Sequence, residues 1–214
     1  MIRYREISKA DHARIRKLVS QIWNLERFCS DAKLLESGLR IFLRGCLMTS
    51  NYSQIAEEDG EVVGFILGRT DKDYSAFRKV FQHLPATVWA TLKFVVRNRR
   101  QQKIRGFVRV IMTSYKKLIN SVDKKFDGEL VLFVVDKRFQ GRGIGKTLMN
   151  RFFETCRKKE LRSIRVFTDT QCNYGFYDHN GFRRLHELET DAQMLEGTLS
   201  LTIFLYEYSV SDNQ

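Results

Sequence analysis

Residues 131–148, VLFVVDKRFQGRGIGKTL, restrict the fold more than any other stretch of the chain. An apolar run of strand type, Val131 to Val135, meets a short charged turn, and a glycine-rich turn then opens an amphipathic helix. The first N–H groups of a helix have no intrahelical partner and carry a partial positive charge, so they hold phosphate readily. Gly141, Gly143 and Gly145 carry no Cβ, which lets a ligand come up against bare backbone. The segment is expected to hold a pyrophosphate.

Spacing decides which pyrophosphate ligand is meant. Gly145-Lys146-Thr147 supplies the end of a Walker A loop, but the glycine required five residues before Gly145 is Gln140. The dinucleotide fingerprint G-x-G-x-x-G fails as well, because Lys146 or Leu148 stands where its last glycine belongs. The pattern that fits is Q-x-x-G-x-G, from Gln140 to Gly145, and it resembles the acyl-CoA-binding motif of the GNAT (Gcn5-related N-acetyltransferase) superfamily. Further on, Tyr177-Asp178-His179-Asn180-Gly181-Phe182 resembles that family's second signature, a tyrosine followed by three variable residues and Gly-Phe. The two motifs stand in the family's order and at its usual separation.

Composition narrows the remaining classes. The 214 residues suit one domain with an ample core, and 43% hydrophobic with 29% charged residues is the balance of a soluble globular protein. No apolar window is long enough to span a membrane, and the charged N-terminal segment lacks a signal-peptide core. Cys29, Cys46, Cys156 and Cys172 form no CxxC pair, so they are read as reduced thiols of a cytoplasmic protein. No metal site is expected, since His12, His83, His179 and His186 are scattered and none has a cysteine nearby. Of the net charge of +12, residues 71–127 supply ten, with fourteen Lys and Arg against four Asp.

Periodicity then gives the order of elements. MIRYREI alternates as a strand; Ser8 or Asp11 could cap a helix presenting Ile15, Leu18, Val19, Ile22 and Trp23. A second helix is expected over Asp31 to Leu47, with Leu34, Leu35, Leu39, Phe42, Leu43 and Cys46 inward. Tyr52–Ala56 and Val62–Leu67 flank an Asp59-Gly60 hairpin signal. Asp71 to Lys125 reads as helical, with Phe77, Val80, Phe81 and Leu84 on one face before Pro85, and Val88, Leu92 and Val95 after it. A second amphipathic stretch carries Phe107, Val110, Ile111, Tyr115, Leu118, Ile119 and Val122. A strand (Glu129–Val135), a helix (Ile144–Lys159), a strand (Ser163–Thr168) and a helix (about Cys172–Asn180) follow. The chain closes on a hairpin of Arg183–Leu188 and Leu199–Tyr208 around Glu196-Gly197. This order resembles the GNAT fold, an α/β (α+β) arrangement of a mixed twisted sheet flanked by helices. It is expected as a single domain over 1–214, with a basic, helical insertion at 71–127 between the third and fourth strands. The family usually has a short turn there.

The resemblance also implies roles. The backbone of Phe133, Val134 and Val135 would pair with the pantetheine arm of acetyl-CoA, and the N–H of Val134 or Val135 could polarise the thioester carbonyl. Gln140, Gly141, Arg142, Gly143, Gly145 and Lys146 would hold the phosphates. Many members bond the pantetheine through an asparagine seven residues before the motif tyrosine. Thr170 stands there, and Asn173 is the substitute.

An alkylamine acceptor is mostly ammonium at neutral pH, so a base must take a proton from it. Glu129, eleven residues before Gln140, matches the strand glutamate that is the base in histone-acetylating members; Glu187, Glu189 and Asp191 on the closing hairpin are alternatives. Tyr177 is the expected acid that protonates the departing CoA thiolate. Cys172 has no visible activating partner, and direct attack in a ternary complex is expected.

These readings converge on an acyl-CoA-dependent N-acyltransferase acting on a primary amine, whether a small molecule, a peptide N-terminus or a protein lysine. The competing class is a non-catalytic acyl-CoA-binding or nucleic-acid-associated module. It would use the basic run of Lys93, Arg97, Arg99, Arg100, Lys103, Arg105 and Arg109. The same insertion could equally be an edge cover, a homodimer contact or a lid over the acceptor.

Overall fold

The computed structural model describes residues 1–27, 31–73, 102–194 and 197–210. Their centre is a seven-stranded mixed sheet in the order β1-β2-β3-β4-β5-β7-β6. The strands are β1 (Ile2–Arg5), β2 (Tyr52–Glu58), β3 (Glu61–Thr70), β4 (Gly128–Val135), β5 (Ser163–Asp169), β6 (Arg183–Met194) and β7 (Gly197–Ser209). The helices are α1 (His12–Ile22), α2 (Ala32–Met48), α3 (Gln102–Asn120), α4 (Ile144–Lys158) and the single turn α5 (Gly175–Asp178).

Local chemistry explains most boundaries. Asp59 and Gly60 both take positive φ (51° and 81°), as a tight hairpin between β2 and β3 demands. The Asp31 carboxylate accepts the Leu34 N–H at 3.0 Å and starts α2. The Asp11 carboxylate accepts from the Ser8 N–H and hydroxyl at 2.7 and 2.8 Å and from Arg5, which turns the chain from β1 into α1.

One face of the sheet is covered by α4, whose Ile144, Leu148, Met149, Phe152, Phe153 and Cys156 are buried. Helix and sheet come so close there that a Cβ on Gly68 would lie 2.3 Å from the Phe152 ring. The opposite face receives Ile15, Leu18 and Val19 of α1 and Leu39 and Leu43 of α2. Toward β7 that same face receives Leu118 of α3, with Ile111, Tyr115 and Ile119 beside it.

Three expectations change. Phe42 is exposed rather than inward, edge-on to Trp23 at 6.2 Å between ring centroids. The helix expected over Cys172–Asn180 shortens to Gly175–Asp178: turns hold its start, and Gly181 at φ 79° follows three residues after its end. The closing strands run longer than periodicity indicates, because β6 and β7 pair continuously out to Met194 and Gly197. Within the insertion α3 is helical, and Val110, Ile111, Tyr115, Leu118 and Ile119 fall on it as expected. Phe77, Val80, Phe81, Leu84, Pro85, Val88, Leu92 and Val95, expected on a helix, and Lys93, Arg97, Arg99 and Arg100 of the basic run lie outside the described residues. Among the described residues no helix is long and apolar enough to cross a membrane.

Candidate active site at the split between β4 and β5

Strands β4 and β5 run parallel but pair only at Gly128↔Ile164, Glu129↔Arg165 and Leu130↔Val166. Beyond that point β4 keeps β3 on one side, while β5 continues alone to Asp169 beside β7. From Val131 to Val135 one edge of β4 therefore offers backbone groups with no strand opposite among the described residues. The split begins at an irregularity. Leu67 pairs with Leu132 and Gly68 with Leu130, so Val131 is an extra residue, a bulge that turns the backbone. Phe133, Val134 and Val135 follow it along the open edge.

The glycine loop stands at the end of this edge. Asp136 caps a turn through the Arg138 N–H at 3.0 Å and is held by Arg14 at 2.7 Å, and the Gln140 amide donates to the Val135 carbonyl at 3.3 Å. Gly141 and Gly143 take φ of 77° and 76°, and a Cβ on either would meet open space. Gly143 is the N-cap of α4, so bare backbone and unpaired N–H groups face outward together. Gly145 faces inward instead, where a Cβ would come 3.2 Å from the Phe133 ring. Lys146 is exposed and has no ion-pair partner among the described residues. Arg142 is engaged otherwise: it forms two bonds to Glu58 at 2.9 and 2.5 Å and lies over the Phe139 ring at 5.2 Å.

Tyr177, the expected acid, lies on α5 with 7% of its surface exposed, among Phe182, Phe176 and Tyr206. Burial pushes its phenol pKa up, and Cys172, Tyr115 and Asp169 nearby push it the same way, so the hydroxyl stays protonated at neutral pH. The Tyr206 hydroxyl next to it donates to Asp178 at 2.7 Å and accepts from Arg184 at 3.0 Å. Asn173 is exposed in the turn before α5, where its carbonyl accepts the Phe176 N–H. Burial raises the Cys172 thiol pKa to about 12, which leaves it unsuited to nucleophilic attack.

Glu129, the expected base, occupies a charged row that sequence reading does not reveal. Arg69, Glu129, Arg165, Glu207 and Arg183 are successive register partners across β3, β4, β5, β7 and β6. The Glu129 carboxylate lies 2.8 Å from Arg165 and 3.1 Å from Arg69. Glu207, 1% exposed, is held by Arg183 at 2.8 Å and by Lys124. The hairpin carboxylates are elsewhere. Glu187 pairs with Phe204, on the α4 face of the sheet, and its carboxylate reaches Arg184 at 3.1 Å; Glu189 and Asp191 follow on the same side of β6.

Sequence reasoning overlooked Asp169, the last residue of β5, half-buried on the face that carries Glu129 and α3. Its carboxylate accepts from the Gln171 N–H at 2.8 Å, with the Trp23 indole and the Cys172 thiol beside it. Burial raises its pKa, against the opposing pull of these neighbours. Its one sequence signal is its position, at the end of a strand and just before the turn into the second motif. Among the described residues no three His, Cys, Asp or Glu side chains gather as metal ligands would.

Comparison with known proteins agrees with this geometry. Residues 90–184 match the acetyltransferase (GNAT) domain family. No curated protein sequence matches the chain. Among solved structures, an N-acetyltransferase from Staphylococcus aureus Mu50 superposes with a TM-score of 0.56 at 14% identity, covering 99% of both chains. PH1933 from Pyrococcus horikoshii OT3 gives 0.57 at 16% identity over 98% of both. The protein yncA from Salmonella typhimurium, solved with its cofactor acetyl-CoA, gives 0.55 at 14% identity over 100% of this chain and 96% of its own. At these identities the likeness is one of fold.

Proposed function

We propose that this chain, which belongs to the GNAT superfamily by its fold and by the domain matched at residues 90–184, transfers an acetyl group from acetyl-CoA to a primary amine. The observation that carries this is the split itself: an unpaired stretch of β4 leads to an open glycine loop at the start of a 15-residue helix. The site fits the co-substrate part by part. The Gly141–Gly145 backbone and Lys146 would take the phosphates, with Gln140 holding the loop against β4. Arg142 would have to release Glu58 to join them. The edge from Phe133 to Val135 would receive the pantetheine amides as a neighbouring strand does, and the N–H of Val134 or Val135 would bond the carbonyl oxygen as charge develops on it. Asn173 is assigned to the pantetheine from the turn before α5. Tyr177, kept protonated by burial, would give its proton to the departing thiolate.

For the proton of the acceptor, Glu129 is the residue the family resemblance names. We assign it first to the charged row, because its carboxylate already holds two guanidinium groups. The acceptor is a primary amine, and a small molecule, a peptide N-terminus or a protein lysine would each satisfy the chemistry.

A thermal melt with acetyl-CoA, with NADH and ATP as controls, tests the reading. Ligand at about 100 times its Kd adds roughly 2.7 kcal/mol, or about 5–10 °C in a chain this size. A shift confined to acetyl-CoA is expected, followed by CoA release on addition of amines. An equal response to all three, or none, would reject the assignment and favour the nucleic-acid-associated reading; a shift confined to acetyl-CoA with no CoA release would favour the non-catalytic acyl-CoA-binding module.

A further inference from the structure

The carboxylates around this site are nearly all claimed. Asp11, Glu57, Glu58, Glu129, Asp136 and Glu207 each lie within an ion pair of Arg or Lys. Asp169 has no such cation among the described residues; it accepts the Gln171 N–H, with an indole and a thiol beside it. A half-buried carboxylate that meets no cation among the described residues is costly to keep charged, which marks it as a place for a cationic group.

Its location says what arrives. Phe167, Thr168 and Asp169 form the β5 side of the split, opposite the open edge of β4. Asp169 projects to the α1 and α3 face, since it shares register with Ile203 of the α3 cluster, with Trp23 from the end of α1 nearby. The glycine loop and α4 lie toward the other face. Tyr177 spans the two: it packs in the α4 cluster, yet its phenol is near enough to Asp169, Cys172 and Tyr115 to be shifted by them. A co-substrate entering over α4 thus leaves the α1 and α3 face for the acceptor.

We propose that Asp169 receives the acceptor as its ammonium ion and takes the first proton from it. This rests on the acetyl-transfer reading above. The ammonium gives one proton to the Asp169 carboxylate, and the freed nitrogen lone pair forms the C–N bond at the thioester carbon. The C–S bond then breaks, and the thiolate takes the Tyr177 proton. The nitrogen's second proton restores Tyr177, and the proton on Asp169 passes to solvent, so one proton is released per turnover. The groups facing Asp169 are Trp23 from α1, Tyr115 from α3, Cys172 from the turn and Tyr177 from α5, with Glu129 and Cys46 near Tyr115.

The test uses the full chain, acetyl-CoA and matched probes. Propylamine, hexylamine, spermidine and alaninamide offer ammonium ions; 2,2,2-trifluoroethylamine has the size of propylamine but is uncharged at neutral pH. Asp169→Asn keeps an oxygen for the Gln171 N–H, and Asp169→Ser is the second variant should the first not fold. The expected result is a loss of about 100-fold or more in kcat/KM for the ammonium probes. Trifluoroethylamine should lose far less, the acidic limb of the pH profile should disappear, and the acetyl-CoA thermal shift should persist. Equal losses on propylamine and trifluoroethylamine, or an unchanged pH profile, would overturn the role of Asp169. So would a wild-type chain that acetyl-CoA stabilises but that acetylates none of the ammonium probes. A wild-type chain that acetyl-CoA does not stabilise fails the underlying reading instead, and the proposal with it.

Discussion

Replacing Glu129 by Gln separates a structural role from a catalytic one, because the two predict different observables. In the charged row Glu129 stands between Arg69 and Arg165, at 3.1 and 2.8 Å, with 18% of its side chain exposed. An opposite-charge pair across neighbouring strands contributes about 0.2–1 kcal/mol, and Gln removes two of them at once. It also leaves the guanidinium groups of Arg69 and Arg165 on either side of a neutral residue. Glu207 still adjoins Arg165 in register, and Asp71 still holds Arg69 at 2.6 Å, which limits the damage. The expected cost is about 1–2 kcal/mol, or roughly 2–8 °C in Tm, and it should shrink with added salt. A double-mutant cycle with Arg165→Gln should return a coupling of about 0.5–1 kcal/mol. As the base, Glu129 would instead lose about 100-fold or more in turnover on conversion to Gln, at nearly constant Tm. A low-salt melt unchanged within a degree, with collapsed turnover, would refute the row as the reason for this glutamate.

Other positions give sharper single readouts. Tyr177→Phe keeps the ring packing and removes the proton, so kcat should fall about 100-fold while the acetyl-CoA thermal shift stays; unchanged kcat would remove Tyr177 from the chemistry. Gly143→Ala forces a side chain to φ 76° at the start of α4, at about 1–2 kcal/mol, and should reduce the acetyl-CoA shift as well as Tm. Gly128→Ala would bring a Cβ within 2.5 Å of the Arg69 carbonyl oxygen, at about 1–3 kcal/mol of overpacking, visible as a lower Tm. Asp169 has its pKa raised by burial, so its contribution to stability is full below the unfolded value of about 3.9 and is lost as pH rises through the folded pKa. Asp169→Asn should therefore gain stability relative to wild type between pH 4 and pH 8, and melts across that range showing the opposite trend would contradict the burial argument.

What the sequence reveals and what it hides follow from the range of the interactions. The hairpin at Asp59-Gly60, the cap at Asp31 and the glycine loop are local, each decided by a few adjacent residues whose chemistry permits little else. The split between β4 and β5 is not local. Nothing in Val131–Val135 alone says that pairing stops after Leu130; the family resemblance touches it only through the expected pairing of Phe133–Val135 with pantetheine. The charged row lies further still from view, since Arg69, Glu129, Arg165, Glu207 and Arg183 are scattered in sequence and meet only through strand register. That row bears on how the site is read. A glutamate at the right offset also holds two arginines, and an aspartate without a motif meets no cation among the described residues. In a chain so rich in arginine, a carboxylate is marked for chemistry less by its place in a motif than by the absence of a guanidinium. Asp169 meets that condition among the described residues, and it does so on the β5 side of the split, opposite the open edge of β4.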